Sequence, residues 1–211
     1  VYSLVAGFLM YYYNTVLGIS ASFIGVLFMA ARLFDAINDP VMGVIIDKTK
    51  SPIGKFRPWL LVGTATNAIV LYLMFSIPAN LAGNSLLIYA SVAYLAWGIT
   101  YTMMDIPYWS MIPALTEPGR GRENLSVIAR SAAGFGFALP VGLTMVLVPL
   151  LGGGSERAGF SRVALIVAVV FVIGILITTI QVKEKNPAAG KSPRVRDLFR
   201  ALVKNDQALV V

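Results

Sequence analysis

Apolar residues run almost unbroken through six stretches, 1–17, 21–46, 58–77, 85–112, 125–151 and 161–182, and polar residues collect between them. A helix rises about 1.5 Å per residue, so runs near twenty residues match a hydrocarbon layer about 30 Å thick. The pattern therefore predicts six spanning helices joined by short connections. Gly18-Ile19-Ser20 is a tight first turn, Pro78-Ala79-Asn80 closes the third span, and Gly152-Gly153-Gly154-Ser155-Glu156 reads as a loop. A further loop is expected over 116–124. Pro107 lies inside the fourth run, where a missing backbone donor is expected to kink or unwind the helix.

The chain opens at Val1 inside an apolar run and closes on Leu209-Val210-Val211 as another begins. The reading is a truncated first helix, a six-helix bundle over 1–182, a middle loop over 183–204 and the start of a seventh helix over 205–211. Within the middle loop Ser192-Pro193 can start a helix. Val195, Leu198, Phe199, Leu202 and Val203 then alternate at helical spacing with Arg194, Arg196, Arg200 and Lys204. That is a basic amphipathic helix suited to an anionic lipid surface.

Composition agrees with a membrane chain: 57% of residues are hydrophobic and 13% charged, where soluble domains carry roughly a quarter charged. The net charge of +7 does not point to nucleic acid once its placement is considered. Thirteen Lys and Arg fall in 47–57, 116–124 and the tail, against Arg157 and Arg162 on the opposite side. This asymmetry places both chain ends in the cytoplasm. With no cysteine and no histidine, thiolate metal sites, disulfides and the usual catalytic base are excluded.

Five charges remain inside the spans: Arg32, Asp35, Asp39, Asp105 and Arg130. An ionisable group at mid-bilayer costs about 2.5–3.5 kcal/mol on insertion scales, so such groups mark functional sites. Asp35 and Asp39 are one helical turn apart and share a face with Arg32. Arg32 and Asp35 alone would make a structural ion pair, but Asp39 then stands in excess, and an excess carboxylate calls for a proton or a cation. Carboxylate and amide oxygens of Asp35, Asn38 and Asp39 are hard ligands suited to Na⁺. On the fourth span, Asp105 and Trp109 are also one turn apart, with Tyr101 and Thr102 a turn earlier. A carboxylate, an arginine and an indole plane suit a sugar: the ring covers C–H surface and the charges take hydroxyls. Trp109 could equally be an interfacial anchor.

The connection after the second span holds Gly43, Asp47, Lys48, Gly54, Lys55 and Arg57. Topogenic charge explains its basic residues but not Gly43 with Asp47, which suggests a gate at the cytoplasmic end.

These motifs resemble those of a known family. Gly43-x3-Asp47-Lys48 with Gly54-Lys55-x-Arg57 is similar to the loop between helices two and three of the major facilitator superfamily. Arg32-x2-Asp35-Ala36-Ile37-Asn38-Asp39-Pro40, Trp97-Gly98-x-Thr100-Tyr101-Thr102, Met104-Asp105-Ile106-Pro107-x-Trp109-Ser110 and Lys204-Asn205-Asp206-Gln207 resemble the glycoside–pentoside–hexuronide:cation symporters, nearest to the melibiose-carrying branch. The resemblance implies an all-α membrane protein, the N-terminal six-helix half of a transporter. It implies cation (Na⁺, H⁺ or Li⁺)-coupled symport of a glycoside such as melibiose or another galactoside, with no further cofactor. Asp35, Asn38, Asp39 and Thr102 would bind the cation, and Tyr101, Asp105, Trp109 and Arg130 the sugar. The implied partners are the glycoside, the monovalent cation, membrane lipid and a missing C-terminal half. An uncoupled facilitator and a transporter-like sensor are the competing readings. An intramembrane aspartyl protease is disfavoured, because Asp35 and Asp39 share one helix and no Gly-x-Gly-Asp occurs.

Overall fold

The computed structural model describes residues 1–116 and 119–182. The expected amphipathic helix over 192–204 and the seventh-helix start lie outside the described residues. Six helices follow one another: α1 (Tyr2–Tyr11), α2 (Ala21–Lys48), α3 (Arg57–Phe75), α4 (Gly83–Leu115), α5 (Arg120–Gly152) and α6 (Glu156–Gln181). The last five are each long and apolar enough to cross a membrane. Within this chain the first is shorter, ten α-helical residues that widen into a π-helical turn at Tyr12–Val16.

Local chemistry accounts for the ends. Ser20 and Ser155 cap α2 and α6 by accepting from the backbone N–H groups of Phe23 and Ala158. Pro58 sits at the start of α3, where its missing N–H costs nothing. Gly153, at φ +57°, closes α5 in the left-handed region that a side chain disfavours.

Three expectations need correction. α4 stays helical through Pro107 and Pro113, so the chain does not unwind at Pro107. α5 begins at Arg120, so the loop expected over 116–124 is shorter and Arg120 and Arg122 belong to a first helical turn. α6 begins at Glu156, which brings Arg157 into the helix, where its guanidinium donates to the carbonyls of Ile77 and Pro78.

Packing centres on α3, which lies against α4 and α6; α5 packs on α6 and α1, and α2 on α4. The main core holds Leu4, Leu9, Tyr12, Tyr13, Leu71, Phe75 and Phe160. Three consecutive tyrosines fasten this end. Tyr11 donates to the Glu156 carboxylate at 3.0 Å, Tyr12 to the Phe75 carbonyl at 3.0 Å, and Tyr13 to the Ala90 carbonyl at 3.2 Å. A smaller cluster at the opposite end gathers Met42, Ile46, Phe56, Leu60 and Met111. Outside these cores the surface is apolar, as with Leu33 and Ile37 on α2 and Phe135 and Leu150 on α5, each about two-thirds exposed or more. Exposed apolar faces on this scale are those of a chain surrounded by lipid or by another membrane element.

Close approach depends on two glycines. A Cβ on Gly63 would lie 3.0 Å from the backbone nitrogen of Met104, and one on Gly159 would strike the backbone carbonyl of Val148. Gly159→Leu is therefore expected to lower stability by several kcal/mol, because backbone rather than a flexible side chain must yield. Gly142→Ala, with nothing within 4 Å of its added Cβ, should leave stability within about 0.5 kcal/mol. Thermal unfolding of the detergent-solubilised protein checks the pair.

Candidate functional site

Asp35, Asn38 and Asp39 lie within about one turn of α2, and Asp35 and Asp39 meet α4. Asp39 Oδ1 accepts a hydrogen bond from Thr102 Oγ1 at 3.0 Å, which joins the two helices. Asp35 pairs with Arg32 at 3.6 Å, and its Oδ1 lies 3.4 Å from where a Cβ on Gly98 would stand, so it rests on bare α4 backbone. Asn38 buries its amide nitrogen without a hydrogen-bond partner. Amide oxygen and nitrogen are interchangeable by a flip, so this group can equally present an oxygen to a cation. Among the described residues no cluster of three His, Cys, Asp or Glu forms. The donor set is two carboxylates, a hydroxyl and an amide, all oxygen donors, which fits a small hard monovalent cation better than a transition metal.

One turn further along α4, Asp105 is half-buried and both its partners are on its own helix. Tyr101 OH and Trp109 Nε1 donate to Oδ1 at 3.1 and 3.2 Å. Among the described residues nothing donates to Oδ2. The Arg130 guanidinium of α5 stands 5.7 Å from the Trp109 ring centroid, a cation–π approach that puts a positive charge beside the indole plane. Tyr101, Asp105 and Trp109 line a cavity of about 510 Å³ between α1, α4, α5 and α6, within the usual ligand-pocket range of about 300–1,000 Å³. Arg130 does not line it directly; it reaches the cavity through Trp109.

The structure thus joins Asp39 to Thr102, and joins Tyr101 and Trp109 to Asp105 with Arg130 against the indole, while among the described residues no hydrogen bond ties the Asn38 amide nitrogen to the first group. Thr102 and Tyr101 are neighbours in sequence, and each donates to the carboxylate of one group. Sequence reasoning missed part of the cavity wall. Tyr2 of α1 stacks toward Tyr101, with centroids 5.6 Å apart, and Phe137 approaches Tyr2 at 6.4 Å. Phe171, Gly174 and Thr178 of α6 complete the wall. Tyr2 and Phe137 read as ordinary apolar span residues; only their aromatic character, in helices that carry charge, hints at a site.

The loop residues form a separate constellation at the Lys48 end. Asp47 and Lys55 make a salt bridge at 2.6 Å across the turn between α2 and α3, and Gly54 supplies φ +114° within that turn. Arg57 donates through Nε at 3.1 Å and through Nη2 to the carbonyl of Val182, tying the start of α3 to the end of α6. Lys48 is exposed in the last turn of α2, where a cation is favoured by the helix dipole. Gly43 is half-buried with no atom within 4 Å of an added Cβ, so nothing in this bundle requires it to be small.

Over residues 1–211 the chain matches the family described as MFS/sugar transport protein. It is 34% identical to the inner membrane symporter YicJ of Escherichia coli over 204 residues, covering 97% of this chain and 44% of the relative. It is 33% identical to the isoprimeverose transporter of Lactiplantibacillus pentosus, covering 97% of this chain and 43% of the relative. With the raffinose carrier protein of Pediococcus pentosaceus the identity is 30%, over 89% of this chain and 31% of the relative. The chain spans less than half the length of these curated relatives.

Proposed function

The chain belongs to the MFS/sugar transport protein family, as one of the glycoside–pentoside–hexuronide:cation symporters, and from that premise we propose that it is the cation- and sugar-binding half of a glycoside symporter. It is a multi-pass membrane protein of a transporter family, not an enzyme. Asp35, Asn38, Asp39 and Thr102 take the coupling cation, Na⁺, Li⁺ or H⁺. Tyr101, Asp105, Trp109 and Arg130 take a galactoside such as melibiose. A second half completes the pocket, the two halves rocking about the midplane site. Both chain ends face the cytoplasm, a reading supported by the distribution of Lys and Arg, and the Asp47–Lys55 bridge and the Arg57–Val182 contact act as the cytoplasmic gate.

The observation that carries this reading is the pair of adjacent hydroxyls on α4, Tyr101 to Asp105 and Thr102 to Asp39. A cation at Asp39 competes for or redirects the Thr102 donor and so acts on the helix that also sets the sugar carboxylate. Sugar and cation then raise each other's affinity by the same factor. Uptake of labelled melibiose, raffinose, lactose and isoprimeverose by proteoliposomes holding the complete transporter tests it. Accumulation of one of them driven by an inward Na⁺, Li⁺ or proton gradient is expected. Uptake indifferent to all three gradients would make the protein a facilitator, and no uptake of any sugar would favour a sensor.

A further inference from the structure

Asn67 lies midway along α3, in a helix otherwise built from apolar and small residues, and is completely buried. Neither proposed site uses it. A primary amide at this depth is unfavourable unless its polar atoms are paired, yet only its donor side is. Nδ2 donates to the Trp97 carbonyl at 3.1 Å and to Thr100 Oγ1 at 2.9 Å, both on α4, while Oδ1 has no partner. The flipped amide would set its oxygen against the Trp97 carbonyl, so the donor orientation is forced. Thr100 directs its single proton to its own helix, at Ala96 or Trp97, and is left as an acceptor for the amide.

The turn gripped in this way is the one that leads into both sites. Tyr101 follows Thr100, and Thr102 follows Tyr101. With side chains reaching about 5–6 Å from the helix axis, a rotation of α4 by ~20° moves such a group by about 2 Å, enough to break a hydrogen bond. Gly63, one turn before Asn67, lets α3 and α4 come close enough for the grip to hold.

We propose that Asn67 is a positioning residue: from α3 it fixes the axial rotation of α4 and thereby sets together the Thr102–Asp39 contact with α2 and the placement of Tyr101 and Asp105 against the cavity walls of α1, α5 and α6. The proposal rests on the two-site reading above. Its signature is simultaneous change at both sites. Thr102→Val should weaken cation stimulation alone, and Tyr101→Phe sugar affinity alone. Asn67→Leu, similar in volume but without donors, should weaken both by about three- to tenfold, as expected for lost buried hydrogen bonds.

The test measures binding per mole of folded, complete transporter, using the one of melibiose, raffinose, lactose and isoprimeverose that the parent binds, with and without Na⁺. Thr100→Val removes one acceptor while leaving α3 intact, and should weaken both sites by about two- to threefold. It carries the test by itself should Asn67→Leu fail to accumulate. Asn67→Gln, which keeps the amide donors, should recover part of both affinities. Parental affinities at both sites in Asn67→Leu or Thr100→Val, or a change confined to one site, would overturn the clamp and leave the two-site reading standing. A parent without cation-stimulated sugar binding would remove that reading and the clamp with it.

Discussion

Asp39→Asn in the complete transporter is expected to abolish cation stimulation of sugar binding while leaving basal sugar affinity within about threefold. Of the two acids on α2, Asp35 has the Arg32 guanidinium at 3.6 Å. Asp39 has only the neutral Thr102 hydroxyl, at 3.0 Å. Among the described residues no basic side chain pairs with Asp39, so its charge is the one a cation must complete. Asparagine keeps the shape and the acceptor that Thr102 needs but removes that charge. The packing of α2 on α4 should survive, while the charge-assisted contact to the cation, worth about 1.5–3 kcal/mol or ten- to hundredfold in affinity, is lost. Asp35→Asn should also remove stimulation, and in addition leave Arg32 without its partner. Binding isotherms at zero and saturating Na⁺ distinguish the two effects; unchanged stimulation in both variants would rule out this cation site.

Asp105→Ala is expected to eliminate saturable sugar binding altogether. Tyr101 and Trp109 both donate to Oδ1, which leaves Oδ2 of this cavity-lining side chain without a donor among the described residues and open to sugar hydroxyls in the proposed site. Two hydrogen bonds from sugar hydroxyls to a carboxylate, each about 1.5–3 kcal/mol, amount to a hundredfold or more. Alanine also strands the Tyr101 and Trp109 donors. Trp109→Phe should be milder than Trp109→Ala, because an aromatic ring able to stack on a sugar persists beside Arg130. It should not match the parent, since the indole N–H that steadies Asp105 is gone. Calorimetric titration of the purified variants with sugar reads both effects. Equal affinity for parent and Trp109→Ala would exclude a stacking role.

The helices were legible because lipid leaves a chain few options. Each apolar run had to satisfy its own backbone, so the runs and the helices coincide to within a few residues, the starts of α5 and α6 being the main exceptions. The spacing of Asp35 with Asp39, and of Asp105 with Trp109, was legible for a related reason: charge inside an apolar run stands out, and helical periodicity fixes its face. Hidden from the sequence was whatever depends on which helix lies next to which. Asn67 looked like one polar residue in an apolar run until α4 was found against it. Tyr2 and Phe137 became parts of a cavity wall only when α1 and α5 met. Pro107 does not unwind α4, so the helix persists there against a local preference for a break. The glycine at 63 became intelligible only once its neighbour, the Met104 backbone, was known.

The widened turn at Tyr12–Val16 has a genealogical consequence. Its hydrogen bond from Leu17 N–H to the Tyr12 carbonyl spans five residues, one more than an α-helix allows. Such a turn accommodates one residue more than an α-helical turn does. A relative without the extra residue would align with this chain only through a one-residue gap there. Because each helical residue turns about 100°, the same relative would present a different side of its first helix to α4 and α5. The place of Tyr2 and Ser3 on the cavity wall is thus tied to the number of residues near the far end of the helix. Changes in which face lines the pocket can therefore arise in this first helix by length alone, without any substitution in the pocket itself.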